Sequence, residues 1–105
     1  MKEFTKKYNA ILQINLKNIE NNYNYLKQRA PNSIIAACVK ANSYGLGIDQ
    51  ICKALYKKNC RDFFVATLEE ALLLRRKYKY VNIYLLNGVN HLESYIETFN
   101  HNIIT

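Results

Sequence analysis

Strand-like and helix-like segments alternate along this chain, and the alternation limits the folds that it can adopt. Apolar runs at residues 34–39, 62–66 and 81–86 are typical of strands buried in a sheet. Residues 102–105 begin a further strand-like segment, and an apolar alternation at residues 10–15 predicts a short strand before all of these. Because helical patterns separate the strands, the expected fold class is α/β, with a parallel sheet and helices outside it.

Four helices are predicted between these strands. Asn15 can cap the first helix, which Pro31 ends, and Thr67 with Glu70 forms a capping-box pattern at the start of the third. In the first, second and fourth helices, apolar residues recur at helical spacing and are interpreted as core or helix-packing residues. These residues are Ile19, Tyr23, Leu26 and Ala30 in the first helix, Ile48, Ile51, Cys52 and Leu55 in the second, and Leu92, Tyr95, Ile96 and Phe99 in the fourth. The pattern leaves two architectures open, an open doubly wound sheet and part of a (β/α)8 barrel.

The net charge of +7 would suit a nucleic-acid binder, but lysine outnumbers arginine 11 to 4 and the lysines are scattered along the chain. A nucleic-acid surface more often clusters both residue types on one face, so the charge is interpreted as a solvated surface and no nucleic-acid partner is predicted. No apolar stretch reaches the roughly 18 residues of a transmembrane helix. The basic segment 1–8 lacks the apolar region of a signal peptide, so none is predicted.

The three cysteines, Cys38, Cys52 and Cys60, are odd in number and lack a CxxC spacing. This arrangement argues against a disulfide framework and against a zinc site, so no metal is predicted. It fits a protein of the reducing cytosol. The cysteines themselves are expected to be buried small hydrophobic residues.

Lys40 stands at the carboxyl end of the buried run 34–39, the edge at which parallel α/β folds bind their ligands. A desolvated lysine amine is a good nucleophile and can form a Schiff base with an aldehyde. Gly45 and Gly47 would let the following loop approach a ligand closely, and the Tyr44 hydroxyl could donate a hydrogen bond to a phosphate oxygen. Taken alone this is a weak signal, because a lysine after a strand is usually a surface residue.

The segment Val39-Lys40-Ala41-Asn42-Ser43-Tyr44-Gly45-Leu46-Gly47 resembles the pyridoxal-phosphate (PLP) attachment site of the alanine racemase family at nearly every fixed position. The opening Ile14–Leu16, the segment Val65–Arg75 and the strand Ile83–Leu86 are also similar to that family, in order and without large gaps. Three positions depart from its usual form. Asn15 stands for an aspartate, Ser43 for an alanine and Leu46 for a histidine.

The resemblance implies a (β/α)8 barrel followed by a separate β domain. Residues 1–105 would be the amino-terminal portion of the barrel, about the first three βα units preceded by a short strand and a helix, with the C-terminal β domain absent. Lys40 would hold PLP covalently and move a proton on one face of the substrate, and Tyr44 would bind the PLP phosphate. In the family a tyrosine from the C-terminal domain of the neighbouring subunit serves the opposite face.

The function implied is PLP-dependent interconversion of L-alanine and D-alanine, which supplies D-alanine for the bacterial cell wall in the cytoplasm. The full-length family is expected to be homodimeric. A chain of 105 residues is expected to be a truncated or split product with little activity alone, unless a complementing C-terminal fragment supplies the missing part.

Two alternatives of a different class stay open. One is a non-catalytic PLP-binding barrel of the PLP-homeostasis type, whose loop lacks the Ala-Asn-x-Tyr-Gly-x-Gly pattern, and the other is a cofactor-free basic interaction module. Of the remaining polar residues, His91 and His101 are interpreted as surface residues or loop caps, and Glu69 and Glu70 as helix-start charges. Asn42 is expected to order the loop.

Overall fold

The computed structural model describes residues 8–105, whose centre is a four-stranded parallel sheet. The strands are β1 (Ala37–Cys38), β2 (Asp62–Val65), β3 (Asn82–Leu85) and β4 (Ile103–Ile104). They lie in the order β1-β2-β3-β4, and each pair is parallel. Four of the predicted strands are thus confirmed, with shorter bounds. The signal-peptide prediction rests on residues 1–8, which apart from Tyr8 lie outside the described residues.

Helices precede β1 and connect each strand to the next, as the sequence predicts. The four predicted helices are α1 (Leu16–Arg29), α3 (Ile48–Lys57), α4 (Leu68–Lys77) and α5 (Leu92–Asn100). The short α2 (Lys40–Tyr44) lies in the predicted loop after β1 and is left-handed. The Asn15 side chain caps α1 by accepting a hydrogen bond from the Asn18 amide, 3.1 Å away. Both hydrogen bonds of the predicted capping box are formed between Thr67 and Glu70. Among residues 8–105, no helix is long and apolar enough to cross a membrane.

Strand order distinguishes the two architectures that the pattern left open. A doubly wound sheet reverses its strand order at a switch point, whereas these four strands follow one another in chain order. Right-handed crossovers between successive neighbouring strands place the connecting helices on the same face of the sheet, which is the arrangement of a (β/α)8 barrel. The partial barrel predicted from the sequence is therefore confirmed.

The hydrophobic core lies between the sheet and the helices. One face of each strand supplies buried residues, and α3 and α4 supply the opposing side. The strand residues of this core are Val39, Phe63, Val65, Ile83, Leu85 and Ile103, and the helix residues include Ile51, Cys52, Leu55, Ala71 and Leu74. Burying an aliphatic or aromatic side chain of this kind stabilises a fold by about 1.5 to 3 kcal/mol.

Residues 10–15 do not form the predicted strand. Leu12 in this segment is 68% exposed, and no described strand pairs with it. A strand needs a neighbour that satisfies its backbone N–H and C=O groups, so alternation of apolar residues without a partner leaves the segment extended. The prediction of a strand here is wrong for the described part of the chain.

The apolar stripe of α5 was expected to pack in the core or against another helix, and this prediction is also wrong within the described residues, where the stripe is largely exposed. Tyr95 is 56% exposed and Phe99 is 77% exposed, whereas the buried residue of the helix is Thr98. Helical periodicity identifies which side of a helix is apolar but not whether another element covers that side. In α1 the prediction is partly right, because Tyr23 is buried but Leu26 is 52% exposed.

Candidate active site at the carboxyl end of the first strand

Lys40 lies two residues after the end of the first strand of the sheet. The Val39 amide donates to the Phe64 carbonyl at 2.9 Å, so pairing with β2 continues up to the residue before Lys40. Lys40 is half-buried, and its ammonium lies 5.9 Å from the centre of the Tyr44 ring, within the range of a cation–π contact. The predicted position of Lys40 at the carboxyl edge of the sheet is confirmed. Its amine is not fully desolvated among the described residues.

The four residues after Lys40 form one left-handed turn. Ala41, Asn42, Ser43 and Tyr44 have φ angles of 51°, 53°, 57° and 57°. For residues other than glycine, this conformation costs about 1 to 2 kcal/mol each, because Cβ approaches the following carbonyl oxygen. Four in succession therefore need support from their surroundings. Backbone strain of this kind concentrates at functional sites.

Asn42 supplies part of that support from within the loop. Its side-chain oxygen accepts a hydrogen bond from the Ile48 amide at 2.9 Å and thereby satisfies a free donor at the start of α3. Its carbonyl accepts from the Gly47 amide at 3.0 Å. Asn42 thus orders the loop, as expected. Gly45 and Gly47, with φ of 84° and 97°, complete the loop in a region that favours glycine.

Glu70 supports the turn from another βα unit. One carboxylate oxygen accepts hydrogen bonds from the amides of Ala66 and Thr67, both at 2.9 Å. The other oxygen accepts from the Ala41 amide at 2.6 Å. Partial burial would raise the pKa of Glu70, but hydrogen bonds from the amides of Thr67, Ala41 and Ala66 outweigh it and lower the pKa. Glu70 is therefore a helix-start charge, as predicted, and also a tether for the residue after Lys40.

Tyr44 projects from the end of the turn and is 63% exposed. Its hydroxyl lies 3.4 Å from the Cys38 thiol, and this hydrogen bond raises the pKa of the Tyr44 phenol. The prediction that the cysteines are buried is right for Cys52 and Cys60 but wrong for Cys38, which is exposed. Cys38 points to the face of the sheet opposite to that of the buried Val39.

Leu46 and Ser43 show how the two departures in the loop are accommodated. Leu46 is partly buried and packs against the hydrophobic core, so the loop keeps its packing with leucine at this position. Ser43 is 4% exposed, and its amide donates to the Val39 carbonyl at 3.0 Å. Only a small side chain fits such a buried position, which explains the change from one small residue to another.

The face of the sheet that the helices leave open carries a row of largely apolar side chains. The strand register places Cys38 beside Phe64, Phe64 beside Tyr84, and Tyr84 beside Ile104. The rings of Phe64 and Tyr84 stack with their centres 4.6 Å apart, and the Tyr84 hydroxyl donates to the buried Asp62 at 2.9 Å. The prediction that the run 34–39 is buried is therefore right for Val39 but wrong for Cys38.

Two groups at this site were not predicted, the Glu70 tether and the exposed Cys38. The capping-box pattern identified Glu70. A local pattern cannot predict its contact with Ala41, because Ala41 lies 29 positions earlier in the chain. The position of Cys38 could have been foreseen, because side chains two residues apart in a strand point to the same face and Lys40 is two residues later. The two histidines, His91 and His101, are exposed at either end of α5, as predicted.

Residues 14–105 match the sequence profile of a known family, described as alanine racemase, N-terminal domain. The chain belongs to the alanine racemase family. Alanine racemase from Rickettsia akari (strain Hartford) is 53% identical over 79 residues, which cover 74% of this chain and 22% of that enzyme. Alanine racemase from Rickettsia canadensis (strain McKiel) is 46% identical over 94 residues, which cover 89% of this chain and 26% of that enzyme.

A solved alanine racemase structure from Bartonella henselae, with covalently bound pyridoxal phosphate, has a similar fold. It superposes with a TM-score of 0.81 at 42% identity, over 87% of this chain and 26% of that one. The chain thus spans about a quarter of the length of the alanine racemases that it matches.

The residues around Lys40 fit PLP. The fit rests on a primary amine that can bond an aldehyde and an exposed phenol 5.9 Å from it, measured to the ring centre. A ligand built on one substituted aromatic ring can therefore touch both groups. The apolar row of Phe64 and Tyr84 lies across the same face of the sheet, and such a surface suits the flat ring of a cofactor.

Proposed function

We propose that this chain is the amino-terminal, PLP-binding part of an alanine racemase barrel, with Lys40 as the covalent attachment point. The observation that carries the proposal is the position of Lys40, which stands at the carboxyl edge of β1 with Tyr44 brought beside it by a hydrogen-bonded left-handed turn. A racemase must remove and return a proton at the same carbon, so a mobile amine at this edge suits the reaction.

Each described residue has a distinct part in the proposed mechanism. PLP, when bound, supplies the electron sink that stabilises a carbanion. The Lys40 amine would hold the cofactor, and it would take or give the proton on one face of the α-carbon. The Tyr44 hydroxyl donates to a phosphate oxygen. Phe64 and Tyr84 limit the access of water from the sheet side.

The substrate proposed is alanine, interconverted between its L and D forms, in a homodimer whose second proton-transfer group comes from outside the described residues. Further βα units would pair with the outer edges of β1 and β4 and close the barrel, either in the same polypeptide or in a complementing one. We place the protein in the cytoplasm because all three of its cysteines are free thiols.

The cofactor assignment is tested by adding PLP to the 105-residue chain. A covalent Lys40–PLP adduct is expected to give an absorbance band in the visible range, and borohydride reduction should fix the adduct so that peptide mass spectrometry locates it on Lys40. Lys40→Ala should lose the band. Lys53→Ala, which removes an exposed lysine of α3, is the matched control and should keep it.

The outcomes separate the alternatives. A band that persists in Lys40→Ala would refute Lys40 as the attachment point. A well-folded chain with no band would favour a cofactor-free interaction module. Racemisation of alanine by the 105-residue chain alone would contradict the need for a second proton-transfer group from elsewhere.

A further inference from the structure

The Glu70 carboxylate connects two βα units at the edge of the sheet where Lys40 lies. Its first oxygen accepts from the amides of Ala66 and Thr67 and so belongs to the start of α4. Its second oxygen accepts only one hydrogen bond within the described residues, from the Ala41 amide at 2.6 Å. The two oxygens therefore serve different elements, and a change in one can be separated from a change in the other.

The Ala41 amide is the first backbone donor after Lys40, and Ala41 is the first residue of the left-handed turn. The turn is also held through Asn42, its second residue, whose two oxygens accept from the amides of Gly47 and Ile48 in the loop that follows. At its near end, the bond to Glu70 is the contact that reaches the neighbouring βα unit. A charged acceptor makes this a short, strong hydrogen bond.

We propose that Glu70 is a positioning residue for the covalent attachment of PLP, because it fixes the Ala41 amide and with it the direction of Lys40. The inference rests on the proposed function of Lys40. Glu70 itself touches neither cofactor nor substrate in this proposal. It acts through the backbone, by keeping the turn in the one conformation that places Lys40 and Tyr44 on the same side.

Glu70→Gln separates this role from helix capping. A capping box accepts glutamine as well as glutamate, so the amide oxygen can still accept from Ala66 and Thr67. The NH2 group of the glutamine then faces the Ala41 N–H. Because both groups are hydrogen-bond donors, the bond between residue 70 and Ala41 is lost. Thr67→Ala is the complementary variant, because it removes the hydroxyl of the cap and leaves the Glu70–Ala41 contact in place. Glu69→Gln removes the same charge one position earlier, from an exposed residue.

The expected result is specific to Glu70→Gln. Formation of the covalent Lys40–PLP adduct, followed by absorbance at a fixed PLP concentration, should slow by about tenfold, the effect of losing one charge-assisted hydrogen bond. Hydrogen exchange of the Ala41 amide, followed by NMR, should accelerate by a similar factor. In Thr67→Ala the start of α4 should be less stable, while the rate of adduct formation and the Ala41 exchange rate should stay near those of the unchanged chain. Glu69→Gln should alter neither of these two rates.

Two results would overturn the proposal. One is equal slowing of adduct formation in Glu70→Gln and Thr67→Ala, which would reduce Glu70 to a helix cap. The other is an unchanged Ala41 exchange rate in Glu70→Gln, which decides the question even without PLP. If the unchanged chain forms no adduct at Lys40, the proposed function fails, and the Ala41 exchange rate still tests the tether by itself.

Discussion

At the scale of single residues, burial sets the chemistry of the three thiols apart. Cys52 and Cys60 are completely buried, whereas Cys38 is exposed beside Tyr44. Burial raises the pKa of the Cys52 thiol to about 12 and also raises the pKa of Cys60. The reactive thiolate form is therefore suppressed in the core at neutral pH, and Cys38 is the thiol that reagents can reach in the folded chain.

These buried thiols predict a loss of stability at alkaline pH. The ordinary pKa of the thiol is 9.0 and that of folded Cys52 is about 12, so between these values the folded chain binds more protons than the unfolded chain. The free energy of unfolding must then fall as the pH rises from about 9 towards 12, with a slope of up to about 1.4 kcal/mol per pH unit for one such group.

The check is urea unfolding at several pH values in this window. Cys52→Ala removes the titrating group and should flatten the decline. Leu55→Ala, which removes a buried side chain of the same helix that does not titrate, should lower the stability but leave the slope unchanged. Equal slopes in the unchanged chain and Cys52→Ala would contradict the assignment.

At the scale of elements, features that depend on residues close together in the chain could be predicted from the sequence. Features that depend on a distant element could not. The Asn15 cap and the Thr67–Glu70 box depend on residues three apart, so both were predicted and both are formed. The strand at 10–15 and the burial of the α5 stripe depend on a partner element, which no local pattern reveals, and both predictions failed. The Lys40 loop was recognised by family resemblance, while its left-handed geometry and its tether to Glu70 required the fold.

Arg75 makes contacts between elements that the sequence pattern did not predict. From α4 its guanidinium donates to the carbonyls of Tyr78, Lys79 and Val81, in the connection to β3, and to those of His101 and Asn102 before β4. Carbonyl oxygens at the ends of elements otherwise have no partner. One side chain therefore fixes the starts of two strands relative to α4.

Arg75→Lys should lower the free energy of unfolding by about 2 kcal/mol, because a lysine ammonium keeps the charge but cannot reproduce the planar fork of donors. Arg76→Lys is the matched control, since Arg76 is the exposed neighbour on the same helix, and it should change stability by less than about 0.5 kcal/mol. Denaturant unfolding of the two variants measures the difference. Similar losses in both would show that the five carbonyl contacts contribute little.

At the scale of the whole molecule, one side of the sheet and one side of α5 are apolar and uncovered within residues 8–105. The stripe of α5 comprises Leu92, Tyr95, Ile96 and Phe99, which are 75%, 56%, 48% and 77% exposed. Exposed apolar patches of this kind mark surfaces that pack against another protein element. Because the chain spans about a quarter of its relatives' length, we expect further βα units to cover this stripe.

A complementation experiment tests whether the α5 stripe packs against further βα units. The 105-residue chain, co-expressed with the part of the Rickettsia akari enzyme that follows its matching segment, should give alanine racemase activity that Lys40→Ala abolishes. Phe99→Gln should lower this activity by about tenfold, as expected for losing an aromatic residue from an interface. The same change should leave the stability of the chain alone almost unaltered, because Phe99 is solvated there. Tyr80→Gln, at an aromatic residue 84% exposed outside the stripe, should affect neither quantity. If Phe99→Gln lowers the stability of the isolated chain as well as the complemented activity, the stripe belongs to this chain's own core. It is then not a surface for the rest of the barrel.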